Sequence, residues 1–122
     1  VIQADGGTRT AAITGAWLAL HDALDSSVKT GHLAKMPLKG GCAAVSVGLV
    51  DGIPLLDLDY AEDFRAEVDL NIVMDDRGRF IEVQGCAEGA AFDRSTLDQL
   101  LELADGGVKS LIRMQQEAIA HG

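Results

Sequence analysis

Apolar residues recur with a helical period near the start of the chain. Ile13, Trp17, Leu20 and Leu24 follow one another at offsets of four, seven and eleven residues, which places them on one stripe of an α-helix. This pattern predicts a helix over residues 9–28, opened by a glycine-rich loop. Alanines and a glycine cover much of the remaining surface, so this helix can pack closely against neighbouring elements.

Strand-like runs follow in the middle of the chain. Residues 42–50 and 53–59 predict two antiparallel strands, because Asp51-Gly52 between them is typical of a type I′ hairpin turn. Residues 66–74 and 79–85 predict a second antiparallel pair, joined by a turn whose glycine can adopt a positive φ.

The end of the chain has the pattern of two helices. Phe92-Asp93 can cap the first of them, and Gly106-Gly107 are expected to end it before a last helix that reaches residue 120. The order of elements is therefore a partial strand, a helix, two hairpins and two helices. That order predicts an α+β fold with helices packed on a mostly antiparallel sheet, in one domain over residues 1–122.

Composition narrows the possible functions. The chain has 122 residues and is 48% hydrophobic, enough for a core, while its net charge of −9 argues against a free-standing nucleic-acid binder. Cys42 and Cys86 have neither metal-ligand nor disulfide spacing, which favours a reduced, cytoplasmic setting. No targeting or membrane signal is visible. The start without Met, in a strand-like segment, indicates a piece of a longer protein.

The first candidate site is the loop 5–10, Asp-Gly-Gly-Thr-Arg-Thr, which stands where a strand would end and a helix begin. Glycines allow close approach of a ligand, a helix start attracts anions, and Arg9 adds a fixed positive charge. Such loops are more often only a turn and a cap. An anion site is therefore one of two readings that the loop leaves open.

The second candidate is an acidic stretch, residues 57–69, which contains six carboxylates. Strand alternation predicts that Asp57 and Asp59 share a face, and the following turn can bring Asp63 back towards Asp69. Converging carboxylates must be solvated, protonated or bridged by a divalent cation. A solvated loop is the commonest of these possibilities.

Other polar residues carry weaker signals. His21 and His32 have no second ligand at metal spacing, so a structural or surface role is expected for both. Glu82 and Gln84 share a strand face, which is compatible either with the polar lining of a site or with the solvated side of a sheet.

Four ordered blocks, residues 3–16, 56–63, 66–74 and 82–85, together resemble the bacterial-type ribonuclease PH family in sequence and spacing. The resemblance covers essentially the whole chain. It implies the C-terminal half of an RNase PH domain, with the ribosomal protein S5 domain 2-like fold of that family. The N-terminal half of that domain is absent from this chain.

The resemblance implies a phosphate-dependent 3′→5′ exoribonuclease, a nucleotidyltransferase that trims the 3′ ends of tRNA precursors and releases nucleoside diphosphates. Inorganic phosphate is then the co-substrate, held by Gly7, Thr8 and Arg9. Asp63 and Asp69 are then the catalytic residues or the ligands of Mg²⁺. The implied partners are tRNA precursors and other RNA 3′ ends, the N-terminal half, and a homo-hexamer built as a trimer of dimers; no membrane is implied.

Two alternatives remain. The first is a non-catalytic structural ring subunit of an exosome-like assembly, against which the presence of Arg9, Asp63 and Asp69 argues. The second is a small-molecule phosphotransfer or phosphate-binding domain built on the glycine loop alone. This half by itself is expected to be inactive.

Overall fold

A computed structural model describes residues 6–36 and 40–121 of the chain. The elements in chain order are α1 Thr8–Lys29, β1 Cys42–Val50, β2 Ile53–Leu56, α2 Tyr60–Arg65, β3 Val68–Asp75, β4 Phe80–Ala87 and α3 Arg94–His121. The predicted first helix is present, but the close packing expected around it is wrong, since Thr10 is the only buried one of its described residues and Leu20 is 49% exposed. The partial strand expected at the very start of the chain lies outside the described residues.

The four strands form one antiparallel sheet in the order β2-β1-β3-β4. Both predicted hairpins are present. Asp51 and Gly52 have φ values of 52° and 76°, the two positive angles that a type I′ turn requires. Gly78, in the turn between β3 and β4, has a φ of 77°. Together with the helices, this sheet confirms the predicted α+β class.

The returning strand of the first hairpin is shorter than predicted. It ends at Leu56, and Asp57 then adopts a left-handed φ of 60° that turns the chain. The reason is Leu58, which is only 1% exposed and packs where Gly48 leaves room. Because the strand has ended, the prediction that Asp57 and Asp59 share a strand face is wrong.

The predicted break between two C-terminal helices is also wrong, since α3 runs through Gly106-Gly107 without interruption. A Cβ on Gly107 would lie 2.8 Å from a methyl carbon of Leu56 and 3.3 Å from one of Val45. This glycine therefore lets α3 approach the sheet, and that packing outweighs the cost of glycine in a helix, about 1 kcal/mol per residue. Asp93 caps the helix start as predicted.

The hydrophobic core lies between α3 and one face of the sheet. Four buried residues of α3 recur every four positions and meet alternate residues of the central strands β1 and β3. The core comprises Ala43, Val45, Val47, Val68, Leu70, Ile72, Met74, Leu100, Ala104, Val108 and Ile112.

We call the opposite side of the sheet the second face. Cross-strand partners share a face in an antiparallel sheet, so the strand register defines its members. They are Ala44, Ser46 and Gly48 of β1, Asp69, Asn71 and Val73 of β3, and Glu82, Gln84 and Cys86 of β4.

Helix α1 lies along the edge of β1 that the short strand β2 leaves uncovered. The Thr14 hydroxyl accepts a hydrogen bond from the Ala44 amide at 3.0 Å, and its single proton can be donated to the Thr10 carbonyl at 3.2 Å or the Ala44 carbonyl at 3.4 Å. This contact satisfies backbone groups that would otherwise form an exposed sheet edge. No helix in the described ranges is long and apolar enough to cross a membrane.

Candidate functional site

The glycine loop forms the start of α1. Gly7 is the N-cap residue, with a left-handed φ of 73° and no side chain to cap the helix. A Cβ on Gly6 would collide with the carbonyl group of Leu58, so the backbones approach closely at this point. The predicted phosphate-binding residues Gly7, Thr8 and Arg9 therefore stand at the positive end of a helix dipole, where backbone N–H groups favour an anion.

Asp57 also lies at this helix start. A Cβ on Gly7 would lie 3.5 Å from Asp57 Oδ1, and the Asp57 amide donates to the Ser46 carbonyl at 2.7 Å. A carboxylate beside a helix N-terminus is electrostatically favourable. The sequence pattern assigned Asp57 to a strand, because a left-handed conformation at a non-glycine residue has no clear local signal.

Arg9 forms an ion pair with Glu82. Its Nη2 donates to Glu82 Oε1 at 2.9 Å and to Oε2 at 3.1 Å, with side-chain exposures of 51% for Arg9 and 35% for Glu82. Glu82 therefore contacts a residue of the glycine loop, and its role as the lining of a site stays a prediction. Sequence analysis missed this partner because 73 residues separate the two.

The structure brings Asp63 and Asp69 together, as the turn predicted. Asp63 is on α2, which is opened by a reciprocal capping box in which the Asp59 side chain accepts from the Glu62 amide at 2.8 Å. Asp69 is on β3, and its carboxyl group lies close enough to that of Asp63 for a hydrogen bond when one of the two is protonated.

The environment of Asp69 favours its protonated form. Partial burial is the main cause, the hydrogen bond and charge of Asp63 come next, and the charge of Glu88 adds to them; together they raise the pKa of Asp69 from 3.8 to about 7. Two carboxyl groups held this closely cannot both be ionised cheaply near neutral pH. A proton or a divalent cation relieves their repulsion.

This pair fits Mg²⁺. Within residues 6–36 and 40–121 no group of three or more metal-binding side chains is present, so a metal here would have two protein carboxylates, Asp63 and Asp69. Mg²⁺ commonly binds through one or two carboxylates and keeps several water molecules, some of which substrate phosphates can replace.

The two pairs lie on the same side of the sheet. Asp69 and Val73 are four residues apart on β3, and Val73 is the cross-strand partner of Glu82. The strand rise therefore separates Glu82, the partner of Arg9, from Asp69 by about 13 Å along the sheet. Asn71 and its partner Gln84 lie between them. The helix start at Gly7 lies beside Ser46, which is paired with Asn71 between these two positions. The candidate site is an elongated polar strip on the second face, with the cation of Arg9 at one end and two carboxyl groups at the other.

This strip is an open surface. A cavity of about 430 Å³ lies beside the glycine loop, between α1, β2 and α3, but Arg9, Asp63 and Asp69 do not line it. Its polar lining groups come from Thr10, Thr14, Asp57 and Ser110. Arg9, Asp63 and Gln84 of the strip are exposed in the described part of the chain.

His21 has the structural role that was expected. Its ring stacks on Trp17 with a centroid distance of 5.4 Å and an interplanar angle of 28°. It lies on α1, away from the acidic pair.

Solved structures with the same fold include an archaeal exosome core and a rice protein, Rrp46. Rice (Oryza sativa) Rrp46 matches with a TM-score of 0.66 and 21% identity, over 95% of this chain and 51% of that one. An archaeal exosome core matches with a TM-score of 0.57 and 20% identity, over 66% of this chain and 32% of that one. These likenesses establish the class of fold and confirm the RNase PH fold expected from the sequence.

The sequence comparisons identify the family. Residues 42–107 match the 3′ exoribonuclease family, domain 2. A ribonuclease PH of Synechococcus sp. (strain CC9605) is 62% identical over 118 residues, which is 97% of this chain and 48% of that relative. The chain therefore belongs to the 3′ exoribonuclease family, as its resemblance to ribonuclease PH implied, and it spans about half the length of this relative.

Proposed function

We propose that this chain is the C-terminal half of a phosphate-dependent 3′→5′ exoribonuclease that trims tRNA precursors and releases nucleoside diphosphates. The observation that carries the proposal is the presence of an anion-attracting helix start and two adjacent carboxyl groups on one face of the sheet. The 62% identity to a ribonuclease PH supports the same reaction class.

In the proposed reaction, inorganic phosphate binds at the start of α1. Backbone N–H groups near Gly7, the Thr8 hydroxyl and the Arg9 guanidinium orient it as the nucleophile. A phosphate oxygen attacks the phosphorus atom of the last phosphodiester, and the bond to the 3′ oxygen of the preceding nucleotide breaks. The products are a nucleoside diphosphate and an RNA shortened by one nucleotide. Holding both reactants in line supplies much of the rate enhancement.

The departing 3′ oxygen needs a proton, and the phosphoryl group needs charge neutralisation. With a pKa of about 7, Asp69 can hold a proton near neutral pH and is suited to deliver it. Mg²⁺, when bound by Asp63 and Asp69, would neutralise charge on the scissile phosphoryl group.

The proposal extends to the assembly. A net charge of −9 means that most of the cations that track RNA must come from the N-terminal half or from neighbouring subunits. We propose that the full-length protein acts in the cytoplasm as a hexamer built as a trimer of dimers. In that assembly the N-terminal half and the neighbouring subunits would supply these cations. The likeness in fold to an archaeal exosome core is compatible with such an assembly and leaves a non-catalytic ring subunit as the second candidate.

The test uses the full-length protein, a tRNA carrying extra 3′ nucleotides, and Mg²⁺, with and without phosphate. We expect nucleoside diphosphates only when phosphate is present. Arg9→Ala and Asp69→Asn should each lower the rate by about 100-fold or more. Asp105→Asn, which removes a surface ion pair on α3, is the matched control and should retain the wild-type rate. Absence of release from folded, full-length protein would favour the structural subunit.

A further inference from the structure

The ion pair of Arg9 uses only one edge of its guanidinium group. A single nitrogen, Nη2, contacts both carboxylate oxygens of Glu82. Within the described ranges, neither Nη1 nor Nε of Arg9 donates a hydrogen bond. The pairing therefore fixes the direction of the side chain and leaves two nitrogens that can face an anion.

This contact differs from the common surface pairs of the chain. Lys29–Asp25, Arg79–Asp75 and Lys109–Asp105 each join residues four positions apart. Arg9–Glu82 instead joins the first turn of α1 to β4, across 73 residues.

The sheet beneath this contact is firmly packed. Val73, the cross-strand partner of both Ala44 and Glu82, is 4% exposed, and Ala44 is 2% exposed. Glu82 thus stands on the edge strand β4, paired with a buried residue of the central strand β3, while Arg9 extends from a helix end.

We propose that Glu82 is a positioning residue that holds Arg9 in the orientation needed to bind inorganic phosphate. This inference rests on the function proposed above. An exposed arginine samples many rotamers, and anchoring it beforehand reduces the freedom lost when phosphate binds. Glu82 also repels an anion. Because both side chains are partly exposed, solvent and salt screen the repulsion between Glu82 and phosphate more than they weaken the direct contact that orients Arg9.

The test measures phosphate binding directly as well as catalysis, in the full-length protein. In Glu82→Gln we expect the Kd of inorganic phosphate, measured by calorimetry, and its KM in phosphorolysis each to rise by about 5-fold to 10-fold. The KM for RNA and kcat should change by less than about 2-fold, because Glu82 touches neither RNA nor the reacting atoms in this scheme. Asp105→Asn should leave all four constants unchanged.

A double variant tests whether Glu82 acts through Arg9. In an Arg9→Ala background, Glu82→Gln should cause no further rise in the Kd of phosphate, because the group that it positions is gone. Glu82→Asp, which keeps the charge on a shorter side chain, should give an intermediate Kd and replaces Glu82→Gln if that variant does not fold.

Other outcomes overturn the inference. An unchanged Kd in Glu82→Gln would mean that the pair is only a surface contact, and a lower Kd would mean that Glu82 competes with phosphate. If the wild type binds phosphate but does not shorten RNA, the proposed function fails while the Kd comparison still decides the role of Glu82. If the wild type binds no phosphate, both proposals fail.

Discussion

The second face carries two charged pairs that differ in how they are held together. Arg9 and Glu82 have opposite charges and attract each other, so this contact is favourable in itself. Asp63 and Asp69 have the same charge when ionised, and the partial burial of Asp69 together with the nearby Asp63 carboxyl group raises the pKa of Asp69 to about 7. The second pair therefore exists in spite of its electrostatics.

The backbone holds the acidic pair in place. The capping box between Asp59 and Glu62 fixes the start of α2, and thereby Asp63 one turn later. Gly85 lets β4 pack tightly against the part of β3 that carries Asp69. A pair maintained by the fold against repulsion has a built-in affinity for a proton or a cation, whereas the attracting pair mainly fixes a direction.

The largest effect on stability is expected from Gly85→Ala. Gly85 has a φ of 153°, and a Cβ there would collide with the Asp69 carbonyl oxygen and lie 2.8 Å from Leu70 Cα. We expect a loss of about 3 kcal/mol in the free energy of unfolding, measured by urea denaturation of the full-length protein.

The matched control for Gly85→Ala is Gly106→Ala. Gly106 lies inside α3 with open space around its Cβ position, so alanine should raise stability by up to about 1 kcal/mol. Equal stability of Gly85→Ala and the wild type would show that β4 does not constrain the strand of Asp69.

Asp69→Asn is expected to stabilise the protein in a pH-dependent way. The folded-state pKa of Asp69 is raised from 3.8 to about 7, so its favourable protonated form is complete below pH 4 and is lost as the pH rises through 7. Asparagine remains neutral throughout. Its advantage in the free energy of unfolding should grow between pH 4 and pH 7 and reach about 1 to 2 kcal/mol at pH 8, since partial exposure reduces the full effect.

Mg²⁺ should reduce that difference. A cation bound by Asp63 and Asp69 would stabilise the ionised wild type at pH 8 and have little effect on Asp69→Asn. Thermal unfolding with and without Mg²⁺ measures this. A constant stability difference from pH 4 to pH 8 would contradict the raised pKa of Asp69.

Asp59→Ala tests the support beneath Asp63. The Asp59 side chain accepts from the Glu62 amide at 2.8 Å, and the Glu62 side chain accepts from the Asp59 amide at 3.1 Å. Loss of this cap should cost about 1 kcal/mol of stability and weaken Mg²⁺ binding by displacing Asp63. Asp59→Asn keeps a capping oxygen and should resemble the wild type. Equal Mg²⁺ affinity in both variants would argue against this support.

The smallest stability effect is expected from Glu82→Gln. The ion pair is partly exposed, and such pairs contribute about 0 to 1 kcal/mol. We expect the free energy of unfolding, measured by urea denaturation, to change by less than about 0.5 kcal/mol. The main effect of this substitution should then be on phosphate affinity. A loss near that of Gly85→Ala would make Glu82 a structural residue.

Local patterns in the sequence determined much of the fold. The helical stripe of α1, the type I′ turn at Asp51-Gly52 and the approach of Asp63 to Asp69 all depend on neighbouring residues and were predicted from them. These features survive because no distant contact opposes the local preference.

Tertiary structure alone decided the features that involve distant parts of the chain. The local preference of Gly107 is to end a helix. It lies within α3 instead, because its contacts with Leu56 and Val45 outweigh that preference. Arg9 meets Glu82 because a sheet places residues 73 positions apart side by side. Periodicity and turn residues report only on nearby residues, whereas packing and strand pairing act between segments whose proximity no local pattern encodes.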